Sequence, residues 1–272
     1  MSLPTEPARE LSLILWTADI GLAAEADAAG VDRIGCDLER EGKQLRQAHW
    51  GTWLSDHQIE DLPRVREVLH RAHLFVRPDP FDGCDREQLD AVLALGAEVV
   101  MLPVAEDPDA IAAAVAIIAG RARLIVLIET KRGVGAVDEI ADVAGLDEIF
   151  LGPNDLSASL GLENRFEALV VEEAEHVAEA ARAAGLRFGV GGLAAVGDSR
   201  LSIPPELVYA QLARLGATGT ILGRVFVTAP GSLADKVARA RLRFAELRGS
   251  PPAVLAAARD ELARRAHSLG RI

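Results

Sequence analysis

The sequence predicts an α/β protein built as a (β/α)8 TIM barrel with an additional C-terminal helix. Three observations carry this. Eight short apolar runs alternate with longer amphipathic stretches along the chain, the repeating unit of that barrel. Each run is near-continuously apolar, as a parallel strand covered on both faces must be. No G-x-G-x-x-G turn follows the first run, which disfavours an open doubly wound sheet made of similar parts. A length of 272 residues suits one such barrel.

The elements follow in order. LSLILWT (11–17) is the first strand, and GLAAEADAAG (21–30) the first helix, closed by a Gly of the kind that ends helices. DRIGCDLE (32–39) is the second strand. A long polar loop then leads to a helix over 59–72, whose start falls to Ser55 or Asp56 as a capping pair. HLFVRP (73–78) and EVVMLP (98–103) are strands three and four, with helices over 86–96 and, opened by Pro, 108–120. RLIVLIET (123–130) and EIFLGP (148–153) are strands five and six, separated by a helix over 137–145. RFGVGG (187–192) and GTILGR (219–224) complete the set, after helices over 172–185 and 204–216 with apolar residues at helical spacing. The helix over 233–249 is the eighth and closes the ring.

Domain organisation follows: residues 10–249 form the barrel, and 250–272 a C-terminal helical segment set off by Gly-Ser-Pro-Pro. Its apolar face, Val254, Leu255, Ala258 and Leu262, must be buried under its own barrel or across a subunit interface.

Composition removes several classes of function. The net charge of −12 argues against nucleic acid as a partner. No apolar run reaches the roughly 18 residues of a membrane span. The N-terminus shows no secretory pattern, and Cys36 and Cys84 form neither a disulfide framework nor a metal spacing. The expected setting is cytoplasmic.

In this fold, polar residues at the C-terminal ends of strands read as functional. Strand two ends in Asp37 and Glu39, strand three in Arg77, strand five in Glu129, and strand six runs into Asp155. Like charges gathered at one mouth repel unless a cation or ligand compensates. Glu129 and Asp155 lie one βα unit apart, hence at neighbouring strand ends, and two carboxylates completed by water and substrate oxygens suit Mg²⁺. Asp155 has a second reading as a helix cap. Arg77 is suited to forking onto a substrate carboxylate.

CDLERE, VRPDP, VMLPVAED, VLIET and FLGPNDLSASLG, in this order and spacing, resemble the HpcH/HpaI aldolase and citrate lyase β-subunit family over roughly residues 10–230. The resemblance implies a (β/α)8 barrel, commonly with a C-terminal helix exchanged between protomers, in a homo-oligomer built on dimers. It implies cleavage or formation of C–C bonds beside a 2-oxo acid or acyl-CoA with a divalent metal: Mg²⁺ first, Mn²⁺ or Co²⁺ as alternatives. Carried over, Glu129 and Asp155 resemble the metal ligands and Arg77 the arginine that steadies the oxo-acid oxygens. Gly152, Pro153, Asn154 and Asp155 resemble the backbone that holds the substrate carboxylate at a helix N-terminus.

One departure matters. The family's pyruvate aldolases usually carry a His directly after the strand-two Glu, whereas this chain has Arg40. His57, with an ordinary pKa near neutrality, is the expected replacement base, alongside Asp37, Glu39 and Arg77 in the catalytic set. Lys43, Arg46 and His49 add to the polar character of the same loop, where His49 reads as a solvated bystander, and Trp50 and Trp53 either line a pocket or serve core packing or a subunit contact. The leading expectation is a metal-dependent aldolase or C–C lyase acting on a pyruvate-type 2-oxo acid with an aldehyde partner. The alternatives are a CoA-thioester lyase, for which Lys43, Arg46, Lys131 and Arg132 are the only evident basic residues, and a barrel that binds a small acid without turnover.

Overall fold

The computed structural model describes residues 11–40, 55–84 and 86–270, so Lys43, Arg46, His49, Trp50 and Trp53 lie outside the described residues. Eight strands close into a parallel barrel: β1 (Ser12–Trp16), β2 (Arg33–Asp37), β3 (His73–Arg77), β4 (Val99–Leu102), β5 (Arg123–Ile128), β6 (Glu148–Leu151), β7 (Arg187–Leu193) and β8 (Gly219–Leu222), with β8 returning to pair with β1. The outer layer contains α1 (Ile20–Ala28), α2 (Asp61–Val68), α3 (Glu87–Ala94), α4 (Pro108–Ile118), α5 (Lys131–Gly135), α6 (Val137–Ala141), α7 (Pro153–Leu160), α8 (Glu172–Ala183), α9 (Pro205–Leu215), α10 (Arg224–Thr228), α11 (Leu233–Arg248) and α12 (Pro252–Leu269).

Two helices differ from expectation. α2 begins at Asp61, and Ser55 does not cap it: its hydroxyl donates to the Asp37 carbonyl at 2.6 Å. The helix expected over 137–145 is the single-turn α6, ending at Ala141, and an unexpected single-turn α5 precedes it, kept short by the glycines of KRGVG. Thr130 caps α5, its Oγ1 accepting from the Gly133 N–H.

Alternation along each strand sends every second side chain into the barrel. Ile14, Phe75, Val99, Met101, Ile125, Leu127 and Phe150 fill it, with Trp16 and Ile221 packed against them. Phe150 occupies the centre because Gly189 stands opposite: a Cβ there would lie 2.2 Å from its Cζ. Below this plug, Arg33 forks onto Glu148, Nη1 to Oε2 at 2.9 Å, and Arg187 Nε lies 3.1 Å from Oε1. The barrel is therefore closed at its N-terminal end. The next inward positions beyond Ile14, Gly35, Phe75 and Leu127 are Trp16, Asp37, Arg77 and Glu129, all at the open mouth.

In this structure α12 lies on its own barrel, against α9. Leu255, Leu262 and Ala266 are buried and Ala258 packs against the core, as expected of that face, whereas Val254 is 51% exposed. Asn164, fully buried, donates through Nδ2 to the carbonyls of Ala266 (2.9 Å) and Gly270 (3.2 Å). Among the described residues, no helix is long and apolar enough to cross a membrane.

Candidate active site

The mouth holds a cavity of about 560 Å³ whose lining includes Asp37, His57, Arg77, Glu129, Asp155 and Arg165. Arg77 rises from β3 beneath it. Its Nε and Nη2 donate to the two oxygens of Asp37 at 2.8 and 2.7 Å, and Nε lies 3.3 Å from Glu39 Oε2. The guanidinium stands 5.5 Å over the Trp16 ring, itself stacked on Phe75 at 4.3 Å. Burial works against its charge, but Asp37 and Glu39 outweigh it and drive its pKa above the ordinary value. The fork expected to meet substrate is thus engaged by Asp37, and among the described residues Nη1 is the atom left for a ligand. Glu39 is buried behind Arg77 and does not line the cavity. Asp37 and Glu39 both hold Arg77, Asp37 from the cavity wall and Glu39 from behind it.

Glu129 ends β5 with its carboxylate buried. Oε1 accepts the Val104 N–H at 3.0 Å, from a residue at φ 52°, a left-handed conformation costly for a β-branched side chain. The other flank is Gly152: a Cβ there would meet Glu129 Oε2 at 2.8 Å, so the carboxylate keeps its place only beside glycine. Burial, then the charges of Asp155 and Glu39, push its pKa up to about 8, against the lowering effects of Arg77 and the Val104 bond.

Asp155 does not cap its helix. Gly152 is the N-cap of α7, Pro153 its first residue, and Asp155 sits buried in the first turn. Pro153 contributes no N–H, which leaves the amides of Asn154 and Asp155 at the helix start as the donors for an anion. Gly152, Pro153, Asn154 and Asp155 all line the cavity.

Glu129 and Asp155 are the residues able to hold a metal. Among the described residues no group of three or more His, Cys, Asp or Glu forms a closed cage. Two buried carboxylates with surplus negative charge fit a hard ion that keeps waters and takes substrate oxygens, and do not fit a structural zinc site.

His57 lines the cavity, but its Nδ1 accepts the Asp37 N–H at 3.0 Å. A neutral ring so bonded carries its proton on Nε2. The base expected here needs that lone pair, which the Asp37 N–H already occupies. Arg40 supports it from behind, donating to the His57 carbonyl at 3.0 Å, while its own N–H is held by Asp79 at 2.6 Å. Lys131 and Arg132 do not join this cavity. Arg132 lies 3.7 Å from Glu106 in a separate groove of about 860 Å³, lined also by Asp79, Asp82, Glu87 and Asp107. Sequence reasoning missed Trp16, Val104 and Arg165. Trp16 was open to detection, as the last inward position of β1; the other two depend on backbone conformation and loop placement.

A model of the family HpcH/HpaI aldolase/citrate lyase matches residues 22–192, well over half the chain. Over 79 residues the chain is 43% identical to the hydroxypyruvate/pyruvate aldolase of Rhizorhabdus wittichii, covering 26% of this chain and 32% of that protein. The chain thus spans about a third of that relative's length. Among solved structures, an HpcH/HpaI aldolase/citrate lyase family protein from Burkholderia cenocepacia J2315 superposes with a TM-score of 0.63 at 21% identity, covering 82% of this chain and 91% of that one. Protein CitE from Mycobacterium tuberculosis, in complex with magnesium and acetate, gives a TM-score of 0.60 at 22% identity, covering 92% and 96%.

Proposed function

We propose, from the premise that the chain belongs to the HpcH/HpaI aldolase/citrate lyase family, that it is a metal-dependent C–C lyase of the aldolase type acting on a pyruvate-like 2-oxo acid. The observation that carries this is the buried pair Glu129 and Asp155, set beside Arg77 at the closed end of a single-mouthed cavity. Glu129 and Asp155 would hold a divalent ion, Mg²⁺ or in its place Mn²⁺ or Co²⁺. When bound, that ion supplies Lewis-acid polarisation of the 2-oxo acid.

The chain's own groups do the rest. The start of α7, through the amides of Asn154 and Asp155, receives the substrate carboxylate. Arg77 aims Nη1 at the negative charge that grows on the oxo oxygen, and Asp37 and Glu39 fix that guanidinium before substrate arrives. His57 stands on the cavity wall with its Nδ1 lone pair taken by the Asp37 N–H. Trp16 and Leu127 keep water from the reacting carbons.

The CoA-thioester reading is disfavoured, because Arg132 faces an acidic groove in which CoA phosphates would be repelled. A homo-oligomer built on dimers, with α12 exchanged, is part of the proposal. Decarboxylation of oxaloacetate needs only the 2-oxo acid half of the site. The expected result is turnover above the metal-only rate with Mg²⁺ or Mn²⁺ that EDTA abolishes. Its absence would leave a binding barrel without turnover.

A further inference from the structure

One wall of the cavity is a helix too short to hold itself in place. α10 is five residues long, and Gly223, Arg224, Val227 and Thr228 all line the cavity. A single turn fixes many dihedral angles for few hydrogen bonds, so its position is set by what it packs on. Two anchors do this. Phe226, fully buried, is the apolar one. The other serves the last carbonyls, which every helix leaves without donors of its own. Ala229 ends α10 in an extended conformation, and Pro230 brings no N–H to the turn.

Lys236 supplies the missing donors. It lies one turn into α11, on the face that buries Leu233, Val237 and Ala240. That turn is itself fixed by Ser232, whose Oγ accepts the Asp235 N–H at 3.1 Å. Lys236 Nζ donates to the carbonyls of Val227 at 2.6 Å and Ala229 at 2.8 Å, on either side of the end of α10. The residue is only 7% exposed. Burial lowers its pKa, with Glu25 raising it and Arg200 lowering it further. An ammonium is a costly filler for such a space, since an apolar chain of similar length avoids the desolvation. What the ammonium adds is direction. Two charge-assisted hydrogen bonds fix where the helix end lies, whereas apolar packing is non-directional.

We propose that Lys236 is a positioning residue: by gripping the end of α10, it sets the wall that the second substrate half meets. The 2-oxo acid half, at the closed end beside Glu129 and Arg77, does not depend on it. This rests on the aldolase reading and assigns a role to a residue outside the cavity.

The test compares two Mg²⁺-dependent reactions in the wild type, Lys236→Met, Lys236→Gln and Lys236→Arg. Decarboxylation of oxaloacetate uses the closed end only, while addition of pyruvate to pentanal also uses the α10 wall. In Lys236→Met the kcat/KM of the addition is expected to fall about 10- to 100-fold, with decarboxylation within about threefold of wild type. Lys236→Arg, which keeps a charged donor for the carbonyls, should recover part of the loss. A general loss of stability would lower both reactions together, and that result overturns the proposal, as does an unchanged addition. If Lys236→Met does not fold, Lys236→Gln, which keeps one donor group, is read by the same ratio. Hydrogen–deuterium exchange tests the grip with no substrate present, so a failure of the aldolase reading stays distinguishable. The segment 224–228 should exchange about tenfold faster in Lys236→Met, with β8 unchanged. Equal exchange of that segment in the wild type and the variant overturns the assignment of Lys236, whatever reaction the protein catalyses.

Discussion

Glu129 concentrates the physics of the site at the scale of one residue. Its raised pKa means that the folded protein without metal holds a proton there which the unfolded chain releases above 4.5. The folded state binds more protons between 4.5 and about 8, so metal-free stability falls as pH rises through that window. Metal must displace the same proton, so affinity for Mn²⁺ should rise with pH up to about 8, by at most about tenfold per unit, and then level. Titration calorimetry checks the affinity, and thermal melts of Glu129→Gln, in which the slope should flatten, check the stability. Both Glu129→Gln and Asp155→Asn should lose metal-dependent turnover while keeping the fold, since each removes one of the two anionic ligands proposed. Near-normal turnover in either variant removes it from the metal site. Arg77→Lys should lose about 10²- to 10³-fold in kcat/KM, because an ammonium cannot grip Asp37 with two atoms and still present a third. Wild-type kinetics there would make Arg77 a purely structural partner of Asp37.

At the scale of elements, the change from apolar run to charge at a strand's C-terminal end was enough to place Arg77, Asp37 and Glu129 at one mouth. The left-handed turn at Val104 was not legible, since nothing in PVAED marks a valine as the residue that bends. Helix starts were misread where several short polar residues compete, as at Ser55, Asp56 and Asp61. The inward face of α12 was legible at Leu255, Ala258 and Leu262 and missed only at Val254, which stands in the exposed first turn of the helix. The exchange of α12 belongs to this scale. The Gly249–Pro252 break is the hinge it would use, and the face of α9 it covers stays apolar wherever the covering helix comes from. A chain cut after Gly249 should lose the assembly of the full-length protein, read as a drop in mass by light scattering. An unchanged mass, or a monomeric full-length protein, defeats exchange.

For the whole molecule, the alternation of eight apolar runs was sufficient to reveal the closed barrel, since closure satisfies every strand edge at once. The pairing of Arg33 with Glu148 across the floor was hidden, because their separation of 115 residues leaves no local trace. Breaking that fully buried pair from one side should cost about 3–5 kcal/mol, through the charge left without a partner. The same floor, with the Phe150 plug above it, also dictates traffic. A barrel sealed at one end has a single door, and whatever sits deepest must enter first and leave last. Under the proposed function, the aldehyde would therefore depart before pyruvate, and pyruvate alone would meet the empty site. Pyruvate should accordingly inhibit cleavage competitively against the substrate and the aldehyde noncompetitively, a steady-state pattern that random release would erase.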